Sequence, residues 1–166
     1  RLTKEPEVIA VVVLTHNREQ LLRKCVDRVL LRTSASTREI VIWNNGSTDG
    51  TADFLTSIRD PRIQVVNHPK NIGFNAYLEA FGRTTQPFMV ELDDDVTDAP
   101  QDWDATLLDA FRRLPKMGFL AANLVDDPND LASRIMHHER ADAYTRVEEQ
   151  GVRLLKGPVG GGCAMT

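Results

Sequence analysis

Phe88-Met89-Val90-Glu91-Leu92-Asp93-Asp94-Asp95-Val96 is the stretch on which the reading of this chain turns. An apolar run of strand length ends in three consecutive carboxylates. Side chains alternate along an extended chain, so Asp93 and Asp95 face one side and Asp94 the other. Two ionised carboxylates two residues apart lie roughly 6–7 Å from each other and, at an effective dielectric of about 20, repel by about 2–3 kcal/mol. A strand end carrying that repulsion either opens into water or holds a cation.

The flanking sequence favours the cation. Val8 to Leu14 is an unbroken, largely β-branched run, the mark of a strand buried on both faces, and it stops at Thr15-His16-Asn17-Arg18. Asn17, with Gln20 three residues on, has the spacing of a capping box. The helix that follows would bury Leu21, Leu22, Cys25, Val26, Val29 and Leu30 on one face. A second unit repeats the pattern. Glu39 to Trp43 reads as a strand and ends in Asn44-Asn45-Gly46-Ser47-Thr48-Asp49-Gly50; Ser47, Thr48 or Asp49 then caps a helix over 51–58. Ile63 to Asn67 is a third strand. The loop from His68 to Gly73 leads to a helix with Phe74, Tyr77, Leu78 and Phe81 on one side.

Beyond the aspartates, Trp103, Leu107, Leu108, Phe111 and Leu114 mark a further amphipathic helix stopped by Pro115. Gly118 to Asn123 reads as a strand, 126–140 as an irregular excursion, and 143–146 and 152–155 as strands about a Gln150-Gly151 turn. A glycine turn, Gly160 to Gly162, enters a last strand. Trp43, Trp103, Phe74, Phe81 and Phe111 are expected in the core. Alternating strands and helices imply an α/β sandwich with a mostly parallel sheet, in which ligands collect at the carboxyl ends of the strands. Three polar loops, at 15–18, 44–50 and 93–95, would then converge on one cleft.

Composition narrows the classes of function. The 166 residues suit one domain, with 42% hydrophobic and 27% charged residues, as in ordinary globular proteins. A formal charge of −4 with no basic cluster argues against a nucleic-acid partner. Two cysteines make no disulfide framework, and Cys25 falls in the helical stripe as a buried thiol. No apolar run reaches the ~18 residues of a membrane span, and no signal-peptide pattern is present, so the expected location is cytoplasmic. Residues 1–7 read as a tail or linker and 8–166 as the domain. The chain does not begin with Met, and it is expected to be cut from something longer, truncated at its C-terminal end.

Five segments, in order, resemble inverting family 2 glycosyltransferases of the GT-A fold: Val12–Arg18, Ile40–Thr51, Asn71–Asn75, Leu92–Asp95 and Gly160–Ala164. The resemblance implies a three-layer α/β/α sandwich with a mostly parallel, mixed central sheet. It also implies transfer of a sugar from a nucleoside-diphosphate sugar to an acceptor hydroxyl, on a saccharide or lipid-linked acceptor, with inversion. Thr15 and His16 match positions against the donor's nucleobase, with Asn17 in the same loop. Asn44 matches a position where an Asp commonly accepts the base N–H; an Asn keeps the acceptor oxygen, which favours UDP- or dTDP-sugars and leaves GDP-sugars open. Asp93 and Asp95 match the ends of the DxD that holds Mg²⁺ or Mn²⁺ against the diphosphate, and Asp94 would reach the ribose or sugar. Arg18 could touch phosphate, and Asn71 and Gly73 would shape a donor loop.

The likeness stops short of a catalytic base, which in the family follows the strand after Gly160–Gly162, so none is assigned. The alternative is therefore a nucleotide-sugar-binding module or inactive fragment. Tyr77, Glu79 and Phe81 stand where the family often has Ala, Asn and Gly, which weakens any expected donor contact from that helix. Other motifs fail on spacing. Asp93 to Asp104 has Asp98 where an EF-hand needs Gly, Gly157 to Gly162 lacks the Lys-Ser/Thr of a P-loop, and His137-His138-Glu139 is no zinc helix.

Overall fold

The computed structural model describes residues 8–114, 116–122, 143–158 and 162–166. Among these residues twelve elements follow one another: β1 (Ile9–Thr15), α1 (Glu19–Arg32), β2 (Thr37–Asn45), α2 (Thr51–Ser57), β3 (Ile63–His68), α3 (Asn75–Phe81), β4 (Phe88–Asp93), α4 (Trp103–Arg113), β5 (Leu120–Ala121), β6 (Thr145–Glu149), β7 (Val152–Lys156) and β8 (Cys163–Met165). Six strands form one sheet in the order β3-β2-β1-β4-β8-β5. β3, β2, β1 and β4 are mutually parallel, whereas β8 runs antiparallel to both neighbours. The mixed, mostly parallel sheet is the one expected.

β1 lies at the centre because it can be buried on both faces. Ile9 through Val13 are at most 1% exposed, and burying each of the Ile and Val side chains is worth about 1.5–3 kcal/mol. Its odd positions, Ile9, Val11 and Val13, pack with Leu22, Cys25, Val26 and Val29 of α1, Phe54 and Leu55 of α2, and Trp103 and Leu108 of α4. Val12 faces the other way, with Val41, Trp43 and the α3 residues Ala76 and Ala80. Three helices therefore cover one face and one short helix the other, a lopsided three-layer sandwich.

Several expectations need correction. On α1 the buried stripe is Leu22, Cys25, Val26 and Val29, while Leu21 is 37% exposed at its edge. On α3 the alanines are buried, and Phe74 and Leu78 point outward at 88% and 75% exposure. A seven-residue helix lying close on a sheet leaves room only for small side chains beneath it. Phe81 and Phe111 are partly buried against the two clusters, and Trp43 and Trp103 are core residues as expected. The strand over 118–123 shrinks to Leu120–Ala121. β6 and β7 form a hairpin whose turn places Gln150 and Gly151 at φ 51° and 72°, the left-handed pair a two-residue hairpin needs. The expectations for residues 1–7, Pro115, residue 123, 126–140 with His137 and His138, and Gly160–Gly161 lie outside the described residues. Among the described residues no helix is long and apolar enough to cross a membrane.

Candidate functional site

Strand register brings the polar loops to one edge. Leu14 pairs with Asp93, Thr15 with Asn44, and Asn44 with Asn67, so β1, β2, β3 and β4 end level with one another at their carboxyl ends. Two surface clefts, of about 440 and 510 Å³, open at the opposite end of the sheet, beside Ser34 to Arg38 and beside Arg62 to Gln64. None of the candidate site residues lines either cleft. Parallel-sheet geometry favours the carboxyl edge.

The first two loops are zipped together. Asn17 takes a left-handed conformation (φ 54°), which Asn tolerates better than most residues. Its N–H donates to Ser47 Oγ at 2.9 Å, and its Oδ1 accepts from the Thr48 N–H at 2.7 Å. Asn17 is therefore no helix cap: α1 begins at Glu19, and Arg18, in the capping position, makes no side-chain cap. Asp49 takes over that role from across the cleft, accepting from the N–H of Glu19 at 3.2 Å and of Thr51 at 3.0 Å. One carboxylate thus closes the N-termini of α1 and α2, where helix dipoles favour negative charge. The Thr51 side chain first, and then these backbone N–H groups, hold its pKa below the usual value against the opposing effect of burial.

Asn44 and Asn45 divide two tasks. Asn44, 2% exposed, donates to Asn67 Oδ1 (2.8 Å) and accepts from the Ser47 N–H (3.1 Å). Asn45 clamps the next loop by donating to Asn71 Oδ1 (2.9 Å) and the Gly73 carbonyl (3.3 Å) and accepting from the Ile72 N–H (3.1 Å). Gly46 follows them at φ 71°, and a Cβ there would lie 2.4 Å from the Lys70 carbonyl carbon and 2.5 Å from the Asn71 nitrogen. Only glycine fits. His16 donates from Nδ1 to the Asn45 carbonyl at 2.9 Å, while its Nε2 lies 3.4 Å from Asn17 Nδ2. Gly73, at φ 62°, turns the chain into α3.

The aspartates complete the edge: Asp94 is buried, Asp93 half-buried and Asp95 exposed. β4 ends at Asp93, whose N–H donates to the Gly162 carbonyl (2.8 Å). The Asp93 carbonyl accepts from the Val96 N–H (3.2 Å) and from Cys25 Sγ (3.6 Å). Its side chain faces α3, where Tyr77 Oη donates to Oδ1 at 3.1 Å. Asp94 points to the opposite face, as alternation requires. It is 4% exposed, takes the Thr15 hydroxyl proton at 2.7 Å and pairs with Arg18 at 3.2 Å. The expectation that Asp95 shares a side with Asp93 needs correction: β4 ends at Asp93, the turn after it breaks the extended alternation, and Asp95 joins Asp94 on Arg18 at 3.0 Å.

Burial raises the pKa of Asp94, although the Thr15 hydroxyl and the Arg18 charge oppose it. Asp93 is raised mainly by burial, with Asp95 adding repulsion and Tyr77 opposing. Arg18 is held charged above its ordinary value, chiefly by Asp94. Glu91, raised by burial, lies on the same α3 face as Asp93, close to the Tyr77 hydroxyl. Thr15, His16, Asn17, Arg18, Asn44, Asn71, Gly73 and Asp93 to Asp95 all line this one edge. Sequence reasoning had given no site role to Asn45, Asp49, Tyr77 or Glu91. For Asn45 the signal was its place beside Gly46 in an Asn-Asn-Gly run. For Tyr77 it was a polar tip on an otherwise apolar helix.

Hard oxygen donors dominate the edge, the donor set that Mg²⁺ and Mn²⁺ prefer. Among the described residues no three His, Cys, Asp or Glu side chains are arranged to hold a metal unaided. Two carboxylates with further oxygens from a bound phosphate is the arrangement common in nucleotide sites. Asp93 Oδ2 and Asp95 Oδ1 make no hydrogen bond among the described residues, so each keeps an oxygen of the kind such an ion takes, although Asp95 is turned onto Arg18 beside Asp94.

Comparison with known proteins bears on the same residues. A curated relative, the dolichyl-phosphate beta-glucosyltransferase ALG5C of Trichomonas vaginalis, is 34% identical over 85 residues, 48% of this chain and 22% of its own length. Among solved structures, the mannosyltransferase PcManGT of Pyrobaculum calidifontis, in complex with GDP-Man and Mn²⁺, is similar with a TM-score of 0.62 at 22% identity, over 98% of this chain and 45% of that one. Staphylococcus aureus TarS 1–349 in complex with UDP gives 0.58 at 20% identity, over 74% and 38%. The chain thus spans less than half the length of each. These likenesses place the sheet and its helices in the GT-A fold. Residues 10–165, from the central strand to the last, match the family described as Glycosyl transferase family 2, and the chain belongs to it.

Proposed function

We propose that this domain binds a nucleoside-diphosphate sugar and a divalent cation at the carboxyl edge of the sheet. It then passes the sugar to an acceptor hydroxyl with inversion. The observation that carries this reading is the meeting of Thr15, Arg18, Asn44 and Asp93 to Asp95 at one strand edge of a family 2 fold. Two relatives support the ligand class, since PcManGT is described with GDP-Man and Mn²⁺ and TarS with UDP. The dolichyl-phosphate glucosyltransferase supports a lipid-linked acceptor.

In this reading Asp93 and Asp95 would hold Mg²⁺ or Mn²⁺, which would supply Lewis-acid neutralisation of the departing diphosphate. Thr15 fixes Asp94 so that its carboxylate faces the ribose or sugar. Arg18 spends one terminal nitrogen on Asp94 and Asp95 and keeps donors for a phosphate oxygen. His16 and Asn17 form the wall for the base, and Asn44 supports that wall with one Oδ1 lone pair left for a base N–H. Asn71 and Gly73, held by Asn45, close the far side. The acceptor hydroxyl attacks the anomeric carbon as the bond to the diphosphate breaks, and its proton goes to a general base.

Titration calorimetry with UDP, dTDP and GDP, each with and without Mn²⁺, tests the proposal. Binding of a nucleoside diphosphate that is lost with the metal supports it; metal-independent indifference to all three overturns it. Tight binding without any sugar transfer supports the second reading, a nucleotide-sugar-binding module.

A further inference from the structure

Asp93 is immobilised more completely than a flexible ligand requires. Its N–H is taken by Gly162 and its carbonyl by Val96 and Cys25, and Tyr77 then fixes the carboxylate itself through Oδ1 at 3.1 Å. Tyr77 is in turn held in place. Its ring stacks on Phe81 with centroids 6.0 Å apart and planes at 27°. α3 is anchored to the sheet by Ala76 and Ala80, both fully buried. A tyrosine has one hydroxyl proton; the hydroxyl donates to Asp93 at 3.1 Å, with Glu91 the competing acceptor beside it.

The two oxygens of Asp93 are therefore unequal. Oδ1 already accepts a hydrogen bond from a fixed donor, and Oδ2 accepts none among the described residues. We infer that Tyr77 is a positioning residue that presents Asp93 as a one-oxygen ligand, and that this biases the site toward small octahedral cations over Ca²⁺. The inference rests on the cation site proposed above. Its chemistry follows from coordination preference. Ca²⁺ takes six to eight oxygens and readily uses a carboxylate through both, whereas Mg²⁺ and Mn²⁺ accept one oxygen each from few carboxylates. Chelation through both oxygens of Asp93 would draw Oδ1 away from the Tyr77 hydroxyl, at the expense of a hydrogen bond to a charged acceptor.

The test is direct binding, without turnover. Mn²⁺ affinity is measured by the free-ion electron paramagnetic resonance signal in the presence of UDP, or of whichever diphosphate binds, with Ca²⁺ as competitor. Wild type should prefer Mn²⁺ over Ca²⁺, and Tyr77→Phe should shrink that preference by roughly tenfold, the equivalent of one hydrogen bond to a charged group. If Tyr77 only supported α3, the variant would weaken both ions together and leave their ratio unchanged, and that result overturns the inference. A wild type with no preference for Mn²⁺ over Ca²⁺ overturns it without any variant. No metal-dependent diphosphate binding in wild type would instead overturn the proposed function, so the two failures are distinct.

Discussion

Replacing Thr15 by Val removes one hydroxyl from the buried heart of the site while keeping shape and β-propensity. That hydroxyl donates to Asp94 at 2.7 Å, and Asp94 is 4% exposed, so water does not replace it. A hydrogen bond to a charged acceptor is worth about 1.5–3 kcal/mol. Arg18 still serves Oδ1, which puts the expected loss near the lower bound, about 1.5–2 kcal/mol. For a domain of this size each kcal/mol moves the melting temperature by roughly 2–4 °C, so a fall of about 3–8 °C is expected at neutral pH. The dependence on pH carries the stronger signature. Burial raises the folded pKa of Asp94 above its ordinary 3.8, while the Thr15 hydroxyl lowers it. An acid with a raised folded pKa destabilises the fold once it ionises, above the unfolded value. Removing Thr15 raises that pKa further, so Thr15→Val loses most at neutral pH. The gap to wild type should narrow as pH falls through the folded pKa toward 3.8, where Asp94 is protonated and only a neutral bond of about 1 kcal/mol is missing. Thr15→Ser, which keeps the donor, should show a gap that does not change with pH. Urea unfolding from pH 4 to 8 reads both. A Thr15→Val gap independent of pH, or one below about 0.5 kcal/mol throughout, would refute the assignment of Asp94 as an ionised, hydrogen-bonded buried carboxylate.

Two further outcomes follow from the same edge. Gly46→Ala must hold a left-handed residue and push the Lys70–Asn71 backbone aside; the conformational term alone is about 1–2 kcal/mol, so urea unfolding should show a loss above that and nucleotide affinity should fall with it. Cys25 and Cys163 have thiol pKa values pushed up to about 12, chiefly by burial and further by the neighbouring carboxylates. At pH 8 both stay protonated and poorly nucleophilic, so a thiol reagent should label neither in the native protein and both in denaturant; rapid native labelling of Cys25 would contradict its place beneath Asp93.

The fold was legible because its strands are written in one dimension. Val8 to Leu14 and Ile40 to Trp43 are too uniformly apolar to face water on either side, and only a central strand buries both faces. Where burial depends on what another element covers, sequence misleads. Phe74 and Leu78 look like core at helical spacing, yet α3 lies so close to the sheet that Ala76 and Ala80 fill the interface. Leu21 errs for a related reason: a helix edge is defined by its neighbours, and the neighbours are not adjacent in sequence.

The site divides along the same line. Asp93 to Asp95 and the Asn-Asn-Gly turn stand out because charge and glycine at strand ends are locally unfavourable unless something answers them. The answering groups are distant: Thr15 is 79 residues from Asp94, and Asp49 caps a helix that starts 30 residues earlier. The capping-box reading of Asn17 failed for that reason, since a local rule proposed a bond that the neighbouring loop supplies better. Tyr77 shows the same logic in reverse. It counted against a donor contact from α3, yet the hydroxyl that departs from the family pattern is the one that reaches Asp93. A carboxylate cluster at a strand end therefore specifies its own supporting shell only through the fold. In this chain that shell is Thr15, Arg18 and Tyr77, drawn from β1, the loop after it and α3.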